Sequence, residues 1–154
     1  MDQSSIVFIS IISAAGLAAL VLAAFFVARA WKHRRRSLEM DDMEGHEFEY
    51  FCADLLRDKG FLDVEVTRGS GDFGVDILAE KDGVTYAAQC KCYNAPIGSK
   101  AVQEIYAGRD YYDRMVGVVM TNQYFTSAAV DAAKKLKILL WDRGYLESMM
   151  EELD

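Results

Sequence analysis

Three polar side chains near the middle of the chain have the types and spacing that divalent-metal chemistry needs. Gln89 and Lys91 stand two positions apart in a strand-like run, so they point to one face, and Asp76 precedes both. Mg²⁺ or Mn²⁺ accepts carboxylate and amide oxygens, and the backbone carbonyl of Cys90 could supply a third ligand. A lysine beside such an ion can orient a water molecule and stabilise a pentacovalent phosphate. The pattern predicts a metal-dependent site that hydrolyses phosphodiesters.

A tight turn at Asp82-Gly83 would bring these residues together. A type I′ turn needs positive φ at both central residues, and Asp-Gly is one of the dipeptides that favours it. With this turn, Asp76 lies directly opposite Gln89, and cross-strand partners have Cβ atoms about 4.5–5.5 Å apart. The same register places Gly74 opposite Lys91, where the missing side chain would leave room for the lysine.

The spacing of apolar residues predicts the elements that hold this site. Apolar residues at helical intervals from Phe48 predict an amphipathic helix that ends at Gly60. Ser99 and Thr126 are typical residues at helix starts. The order αβββαβαβ predicts an α/β fold, a mixed sheet with helices on both faces. The predicted strands are 64–66, 75–80, 84–91, 115–120 and 138–141, with a loop at 68–72 and a short helix after Asp142.

The charge of the C-terminal part argues against strong, non-specific binding of nucleic acid. From Met43 onward, 12 Lys and Arg oppose 20 Asp and Glu, a net charge of −8. Affinity for a phosphate backbone comes from cations that neutralise phosphates, so few phosphate contacts are expected. This part of the chain has about 110 residues, enough for one compact domain.

The cysteines predict a reduced protein without a disulfide framework. Cys52, Cys90 and Cys92 are odd in number, and neither histidine lies at zinc-binding spacing from them. We expect free thiols in a reducing compartment. Cys90 and Cys92 alternate with the candidate site residues, so they are expected to face the core.

An uncharged run of 23 residues, from Ile6 to Ala28, predicts a transmembrane helix. It would be about 35 Å long, against a hydrocarbon core of about 30 Å. Lys and Arg are absent before the run and five follow it, which predicts an inner (plasma) membrane protein, single-pass, with its N-terminus outside and its domain in the cytoplasm. A cleaved signal peptide would instead carry positive charge before a shorter apolar run. A buried core helix is the other alternative, but this run is apolar on every face.

These features divide the chain into four predicted segments. Residues 1–30 hold the membrane segment and a short N-terminus, and residues 31–44 form a linker that passes from basic to acidic without apolar periodicity. Residues 45–143 form the domain, and residues 144–154 form a C-terminal tail.

Short motifs run along the whole domain and resemble a known family. They are similar to those of the PD-(D/E)xK nuclease superfamily, in particular its Mrr-like type IV restriction endonuclease branch, and are also similar to archaeal Holliday-junction resolvases. The motifs are Gly45-His46-Glu47-Phe48-Glu49, Lys59-Gly60-Phe61, Gly69-Ser70-Gly71-Asp72, Gly74-Val75-Asp76-Ile77, Gln89-Cys90-Lys91-Cys92-Tyr93, Lys100-Ala101-Val102-Gln103-Glu104, and Thr121-Asn122 before Phe125-Thr126.

The resemblance implies a restriction-endonuclease-like fold, DNA as substrate, a divalent metal and specific site residues. It places the family's metal-binding aspartate on Asp76 and its lysine on Lys91. Gln89 departs from the superfamily, which has a second acid there, but agrees with this branch. The family's helix glutamate falls on Glu49 and not on Glu47, whereas periodicity alone leaves both on the flanks of the helix. The implied catalytic set is therefore Glu49, Asp76, Gln89 and Lys91, with the Cys90 carbonyl as a further metal ligand.

Four polar residues near this site are candidates for contact with DNA phosphates. Arg68 and Ser70 lie on the predicted glycine-rich loop, and Lys100 and Gln103 lie at the start of the second helix. Each residue taken singly is also typical of an ordinary protein surface.

Two functions are consistent with these residues. The first is a membrane-anchored, metal-dependent DNA endonuclease, used in the restriction of foreign or modified DNA as the resemblance implies. The second is a catalytically weak or inactive nuclease-fold module that tethers nucleic acid or a protein partner at the membrane, which the amide at Gln89 and the acidic charge suggest. Cutting both strands would need two copies of this single site, which suggests a homodimer. The acidic charge suggests, as an alternative, a separate DNA-recognition partner.

Overall fold

The structure, a computed structural model, describes residues 16–28, 40–68 and 73–151 of a chain that divides into two compact units, Met1–Arg36 and Ser37–Asp154. In the first unit residues 16–28 form a helix with exposed apolar side chains around its circumference, among them Leu17, Leu20 and Phe25. The rest of the predicted span lies outside the described residues. Within the described ranges, no helix has both the length and the apolar character needed to cross a membrane.

The second unit contains its elements in the predicted order. Helix α1 (Gly45–Asp58) precedes β1 (Leu62–Val66), β2 (Ile77–Lys81) and β3 (Val84–Lys91). These are followed by α2 (Ser99–Tyr111), β4 (Val116–Thr121), α3 (Ser127–Leu136), β5 (Leu139–Trp141) and α4 (Arg143–Glu151). The order αβββαβαβ is confirmed, and the segment after Asp142 is helical as predicted.

The strands form one mixed sheet in the order β1-β2-β3-β4-β5. β1 pairs with β2, and β2 with β3, in antiparallel directions, whereas β3 pairs with β4, and β4 with β5, in parallel directions. The two-residue turn between β2 and β3 reverses the chain, whereas the helical crossovers after β3 and β4 return it to start the next strand in the same direction. The predicted mixed sheet is confirmed.

Each face of the sheet carries its own apolar core. Helices α1 and α4 cover one face, where Phe48 shares a core with Ala88 and Cys90 of β3. Helices α2 and α3 cover the other face, where Ile105 shares a core with Ala87 of β3. Successive residues of a strand point to opposite faces, so β3 is buried on both sides. The prediction of helices on both faces is confirmed.

The turn that joins β2 to β3 has the predicted geometry. Asp82 and Gly83 both have positive φ, +53° and +77°, and Lys81 pairs with Val84. Two positive φ values are what a type I′ turn requires.

Several element boundaries differ from the prediction by one or two residues, and two of these differences have a local explanation. β2 begins at Ile77, later than predicted, because Phe73 and Gly74 both have positive φ (+52° and +78°) and bend the chain before the strand. The N-cap of α2 is Gly98 and not Ser99, and no side chain caps this helix. By contrast, Thr126 caps α3 as predicted, since its Oγ1 accepts a hydrogen bond from the Ala129 amide at 3.2 Å.

Gly108 of α2 allows a close approach between this helix and the chain that leads into β2. A Cβ atom there would lie 2.5 Å from Val75 Cγ2 and 2.8 Å from the Phe73 carbonyl oxygen. We predict that Gly108→Ala lowers the free energy of unfolding by about 1–3 kcal/mol, because the added methyl overpacks this contact. Urea denaturation of the full chain, followed by circular dichroism, measures the change.

Gly45, at the start of α1, is the matched control. No heavy atom of the described residues lies within 4 Å of its added Cβ, so only the higher helix propensity of alanine acts there. Gly45→Ala is expected to leave stability unchanged or slightly higher. Equal destabilisation by both substitutions would contradict the packing explanation.

Candidate active site

The C-terminal end of β3 carries the two strand residues of the predicted site. Ala88 and Cys90 belong to the core beneath α1, so Gln89 and Lys91 between and after them point to the face covered by α2. Gln89 is 1% exposed, whereas the Lys91 side chain is 24% exposed. The amide is therefore enclosed and the ammonium lies at the rim.

Glu104 of α2 fixes the orientation of the Gln89 amide. Gln89 Nε2 donates a hydrogen bond to Glu104 Oε2 at 3.0 Å. An ionised carboxylate only accepts hydrogen bonds, so the NH₂ group must be the end of the amide that faces it. The other end, Oε1, is buried and has no hydrogen-bond partner among the described residues. A buried acceptor without a protein partner is unusual, and it suits a position that takes a water molecule or an ion.

Glu104 also joins two cations to the amide. Its Oε2 lies 3.6 Å from Lys91 Nζ, and its Oε1 lies 3.5 Å from Lys100 Nζ. Burial raises the pKa of the Glu104 carboxyl, but the hydrogen bond from Gln89 and the charges of both lysines outweigh it and hold that pKa below its ordinary value. We refer to Gln89, Lys91, Lys100 and Glu104 as the Glu104 cluster.

The Asp76 side chain binds the backbone of β3. Its Oδ2 accepts a hydrogen bond from the Cys90 amide at 2.7 Å, which places the carboxylate against the chain between Gln89 and Lys91. The predicted direct pairing of Asp76 with Gln89 is not seen. The regular ladder ends at Ile77 with Ala88, and the Asp76 amide donates to the Ala88 carbonyl at 2.8 Å. The bend that precedes β2 explains this change of register.

Gly74 makes room for Gln89 and not for Lys91, contrary to the predicted register. A Cβ at Gly74 would lie 2.7 Å from Gln89 Nε2 and 3.2 Å from Glu104 Cβ. The missing side chain of Gly74 therefore leaves room for the Gln89 amide and the Glu104 side chain to contact each other next to the Gly74 backbone.

The two glutamates of α1 have different environments. Glu47 Oε2 accepts a hydrogen bond from the Glu44 amide at 3.0 Å and so takes part in capping the helix. The Glu49 side chain is 22% exposed and lies 2.7 Å from His46 Nδ1. Glu49 projects from the helix on the opposite face of the sheet from α2. The structure brings it near Cys90 but not into the Glu104 cluster.

The Cys90 thiol lies close enough to both acidic candidates to be affected by their charge. Its hydrogen bond with the Cys52 thiol, followed by burial and by the charges of Asp76 and Glu49, raises the pKa of the Cys90 thiol well above its ordinary value. Cys52, Cys90 and Cys92 are all free, as predicted, and Cys90 lies in the core. Cys92 is half-buried, and burial raises the pKa of its thiol as well.

The candidate phosphate-binding residues lie in different places. Lys100, with a side chain that is 88% exposed, and the exposed Gln103 lie at the start of α2. Arg68 is exposed at the end of β1, and Ser70 lies outside the described residues. A cavity of about 160 Å³ opens beside the Glu104 cluster and is lined by Lys91, Tyr93, Pro96, Gly98, Lys100 and Glu104, among others. It gives solvent access to the Lys91 ammonium.

The donor set is consistent with a metal held partly by neutral oxygens. In the described ranges, no three His, Cys, Asp or Glu side chains are grouped closely enough to hold a metal ion. The predicted ligands do not need such a group, since they include the Gln89 amide oxygen and the Cys90 carbonyl beside the Asp76 carboxylate. Mg²⁺ commonly binds one or two carboxylates and completes its octahedron with other oxygens. Gln89 Oε1, which has no hydrogen-bond partner in the described ranges, fits this requirement.

Glu104 is the residue that sequence reasoning did not assign. It belongs to a motif of the resemblance, but no role followed from its spacing. Its separation from Lys100 by four positions on a helix was the available signal, since such residues are neighbours on the helix surface. Its contact with Gln89, which lies on a different element, could not be predicted from any local sequence pattern.

Comparison with known proteins identifies a family. The Mrr_cat family model, described as a restriction endonuclease, matches residues 40–150. This match confirms the resemblance to Mrr-like restriction endonucleases. No curated protein matches the chain significantly.

Solved structures share the fold at low sequence identity. The protein of unknown function AF1548 has a TM-score of 0.57 and 24% identity, with 68% of this chain and 64% of that chain covered. MspJI restriction endonuclease in complex with a 27-mer oligonucleotide has a TM-score of 0.56 and 21% identity, with 80% and 31% covered. The DNA modification-dependent restriction endonuclease AspBHI has a TM-score of 0.51 and 20% identity, with 68% and 30% covered. This chain thus spans only part of each, and the likeness shows the fold alone.

We predict that Gly74→Ala destabilises the domain more than Gly60→Ala does. The two glycines have nearly the same φ, +78° and +79°, but within the part of the chain that the structure describes no heavy atom lies within 4 Å of a Cβ at Gly60. The difference between the two variants should be about 1–3 kcal/mol, because only the first displaces the Gln89 amide. Urea denaturation of both variants measures this difference, and equal losses would mean that Gly74 is needed only for its φ.

Proposed function

The chain belongs to the Mrr_cat restriction endonuclease family, and we propose that it is a membrane-anchored, metal-dependent DNA endonuclease that hydrolyses phosphodiester bonds. Its C-terminal unit has the restriction-endonuclease-like fold. The resemblance to type IV restriction endonucleases favours foreign or modified DNA as the substrate.

One observation carries the metal dependence of this proposal. Gln89 Oε1 is a buried acceptor without a partner in the described part of the chain, at the end of the strand whose Cys90 amide binds the Asp76 carboxylate. Leaving such an acceptor unsatisfied costs about 1–3 kcal/mol. A divalent ion that binds an amide oxygen, a carboxylate and water would remove this cost.

The proposed ligands of Mg²⁺ or Mn²⁺ are Asp76, Gln89 Oε1 and the Cys90 carbonyl. We propose Glu49, which lies near Cys90 on the α1 side of the strand, as a further ligand from that side. When bound, the ion supplies Lewis-acid charge to the phosphate and lowers the pKa of a water molecule. Asp76 is already oriented by the Cys90 amide, and Gln89 by Glu104. The Asp76 carboxylate and the Gln89 amide oxygen are therefore positioned before an ion binds, which lowers the free-energy cost of assembling the site.

Lys91 is proposed to act directly on the reacting phosphate. Its ammonium faces the cavity beside the Glu104 cluster and is held 3.6 Å from the Glu104 carboxylate. From this position it would orient the attacking water and stabilise the additional negative charge of the pentacovalent phosphate.

DNA is the proposed substrate, with few contacts from the domain itself. MspJI, a restriction endonuclease that shares this fold, was solved in complex with a 27-mer oligonucleotide. Lys100 and Gln103 are exposed at the start of α2 and Arg68 is exposed after β1, while Ser70 lies outside the described residues. Because the domain is acidic, we propose that a homodimer or a separate DNA-recognition partner supplies the remaining affinity.

We propose that residues 6–28 anchor the chain in the inner (plasma) membrane, with the nuclease domain in the cytoplasm. The run lacks charge over 23 residues, and five Lys and Arg follow it. The exposed apolar side chains of residues 16–28, including Leu20 and Val21, also suit a lipid environment.

We predict that Asp76→Ala and Lys91→Ala each lower Mg²⁺-dependent nicking of supercoiled plasmid by at least about 100-fold, since each removes a group that stabilises charge in the transition state. The assay uses the full chain in mild detergent, with and without Mg²⁺. Asp131→Ala and Lys134→Ala, two exposed substitutions of the same types on α3, serve as controls. Full cleavage by the two site variants would refute the catalytic assignment. DNA binding without cleavage by the wild type would favour the tethering module.

We predict that the full chain stays with the membrane pellet after alkaline carbonate washing. The double variant Leu20→Lys/Val21→Lys should be released, because each lysine at the centre of a span costs about 2.5–3.5 kcal/mol. A matched variant, Leu20→Ile/Val21→Ile, should stay in the pellet. Recovery of the wild-type chain in the soluble fraction would contradict the anchor.

A further inference from the structure

Given the proposed function, we infer that Glu104 is a positioning residue that acts through Gln89, so that the two side chains form one unit with a single negative charge. Glu104 turns the amide so that its oxygen, and not its nitrogen, is presented to the metal position. No ligand role is assigned to Glu104 itself.

The first step is the orientation of the amide. A glutamine side chain is nearly symmetrical in shape, and either end could face the site. The hydrogen bond of 3.0 Å from Nε2 to Glu104 Oε2 removes this freedom, because a carboxylate cannot donate. An amide turned the other way would set its oxygen against the carboxylate and present NH₂ to a cation, and both contacts would be repulsive.

The second step is the immobility of Glu104. Lys91 and Lys100 approach different oxygens of the carboxylate, at 3.6 Å and 3.5 Å. The Glu104 backbone belongs to the long helix α2, whose residues Val102 and Ile105 are fully buried. The Glu104 carboxylate is contacted by Gln89, Lys91 and Lys100 and belongs to a packed helix, so its position as the acceptor for the amide is restrained.

The third step is the close packing around the pair. A Cβ at Gly74 would lie 2.7 Å from Gln89 Nε2 and 3.2 Å from Glu104 Cβ. The turn before β2 therefore closes over the hydrogen bond. Gln89 is enclosed by backbone on this side, and Oε1 is left at the opposite end of the planar amide.

The fourth step explains why an amide stands at this position of the strand. A glutamate at position 89 would place two carboxylates about 3 Å apart without a proton between them, a strongly unfavourable arrangement. An acid on the strand and the acid on α2 therefore exclude each other. Exchanging the two residue types would keep one charge, one hydrogen bond and one oxygen for the metal.

The exchange defines the test. The full chain is compared with Gln89→Glu, Glu104→Gln and the double variant Gln89→Glu/Glu104→Gln, with exposed Glu65→Gln as the control for loss of one charge. Each protein is titrated calorimetrically with Mg²⁺ and with Mn²⁺, and its unfolding by urea is measured without metal. Neither readout depends on cleavage.

We expect Glu104→Gln to weaken metal binding by about 10- to 100-fold, as loss of a partner that orients a metal ligand typically does. Gln89→Glu should lower the urea midpoint without metal. The double variant should recover that midpoint and bind the ion at least as tightly as Glu104→Gln alone, since the amide introduced on α2 can donate to the carboxylate introduced on β3. Glu65→Gln should bind the ion like the wild type.

Two results separate the possible failures. If the wild type binds neither ion, the metal-dependent function is wrong and this inference fails with it. If the wild type binds and Glu104→Gln binds equally well, the proposed function stands and only the positioning role is overturned. Losses in the double variant that equal the sum of the single losses would also overturn it, because uncoupled residues do not form a unit.

Discussion

The burial of β3 on both faces is the constraint on which the rest of this structure depends. Alternate residues of the strand serve different cores, so Ala88 and Cys90 pack beneath α1 while Gln89 and Lys91 face α2. Polar side chains are tolerated only near the end of such a strand, where the covering helix begins and solvent enters. The position of the candidate site follows from this limit. It lies where β3 ends and the first turns of α2 pass over it.

The candidate site also shows how a buried polar group is satisfied without adding charge to the strand. Glu104 accepts from Gln89 and lies within ion-pair distance of two ammonium groups, so one carboxylate provides partners for three side chains. Asp76 receives its partner from the backbone of Cys90. Gln89 Oε1 is the exception, since it is buried and meets no partner within the described ranges. Because buried acceptors normally have a partner, this unsatisfied oxygen is the feature of the packing that points to a metal ligand.

Much of the fold could be predicted because the relevant rules are local. Asp82-Gly83 formed the expected turn, since both residues tolerate positive φ, and Thr126 formed the expected cap, since its hydroxyl reaches the Ala129 amide. The register beyond Ile77 was not predictable in this way. Phe73 adopts a positive φ that its side chain disfavours, and the surrounding chain imposes it. The expected pairing of Asp76 was lost at that bend.

The amino-acid pattern was sufficient for the order of helices and strands, the turn, the two faces of β3 and the family, because periodicity and turn chemistry act over a few residues. The partner of Gln89 could not be read in the same way. Glu104 is 15 positions away and meets the amide only because α2 docks on the sheet and Gly74 lets the chain close over them. Such a contact depends on how whole elements pack, and the identity of each residue leaves that packing undetermined.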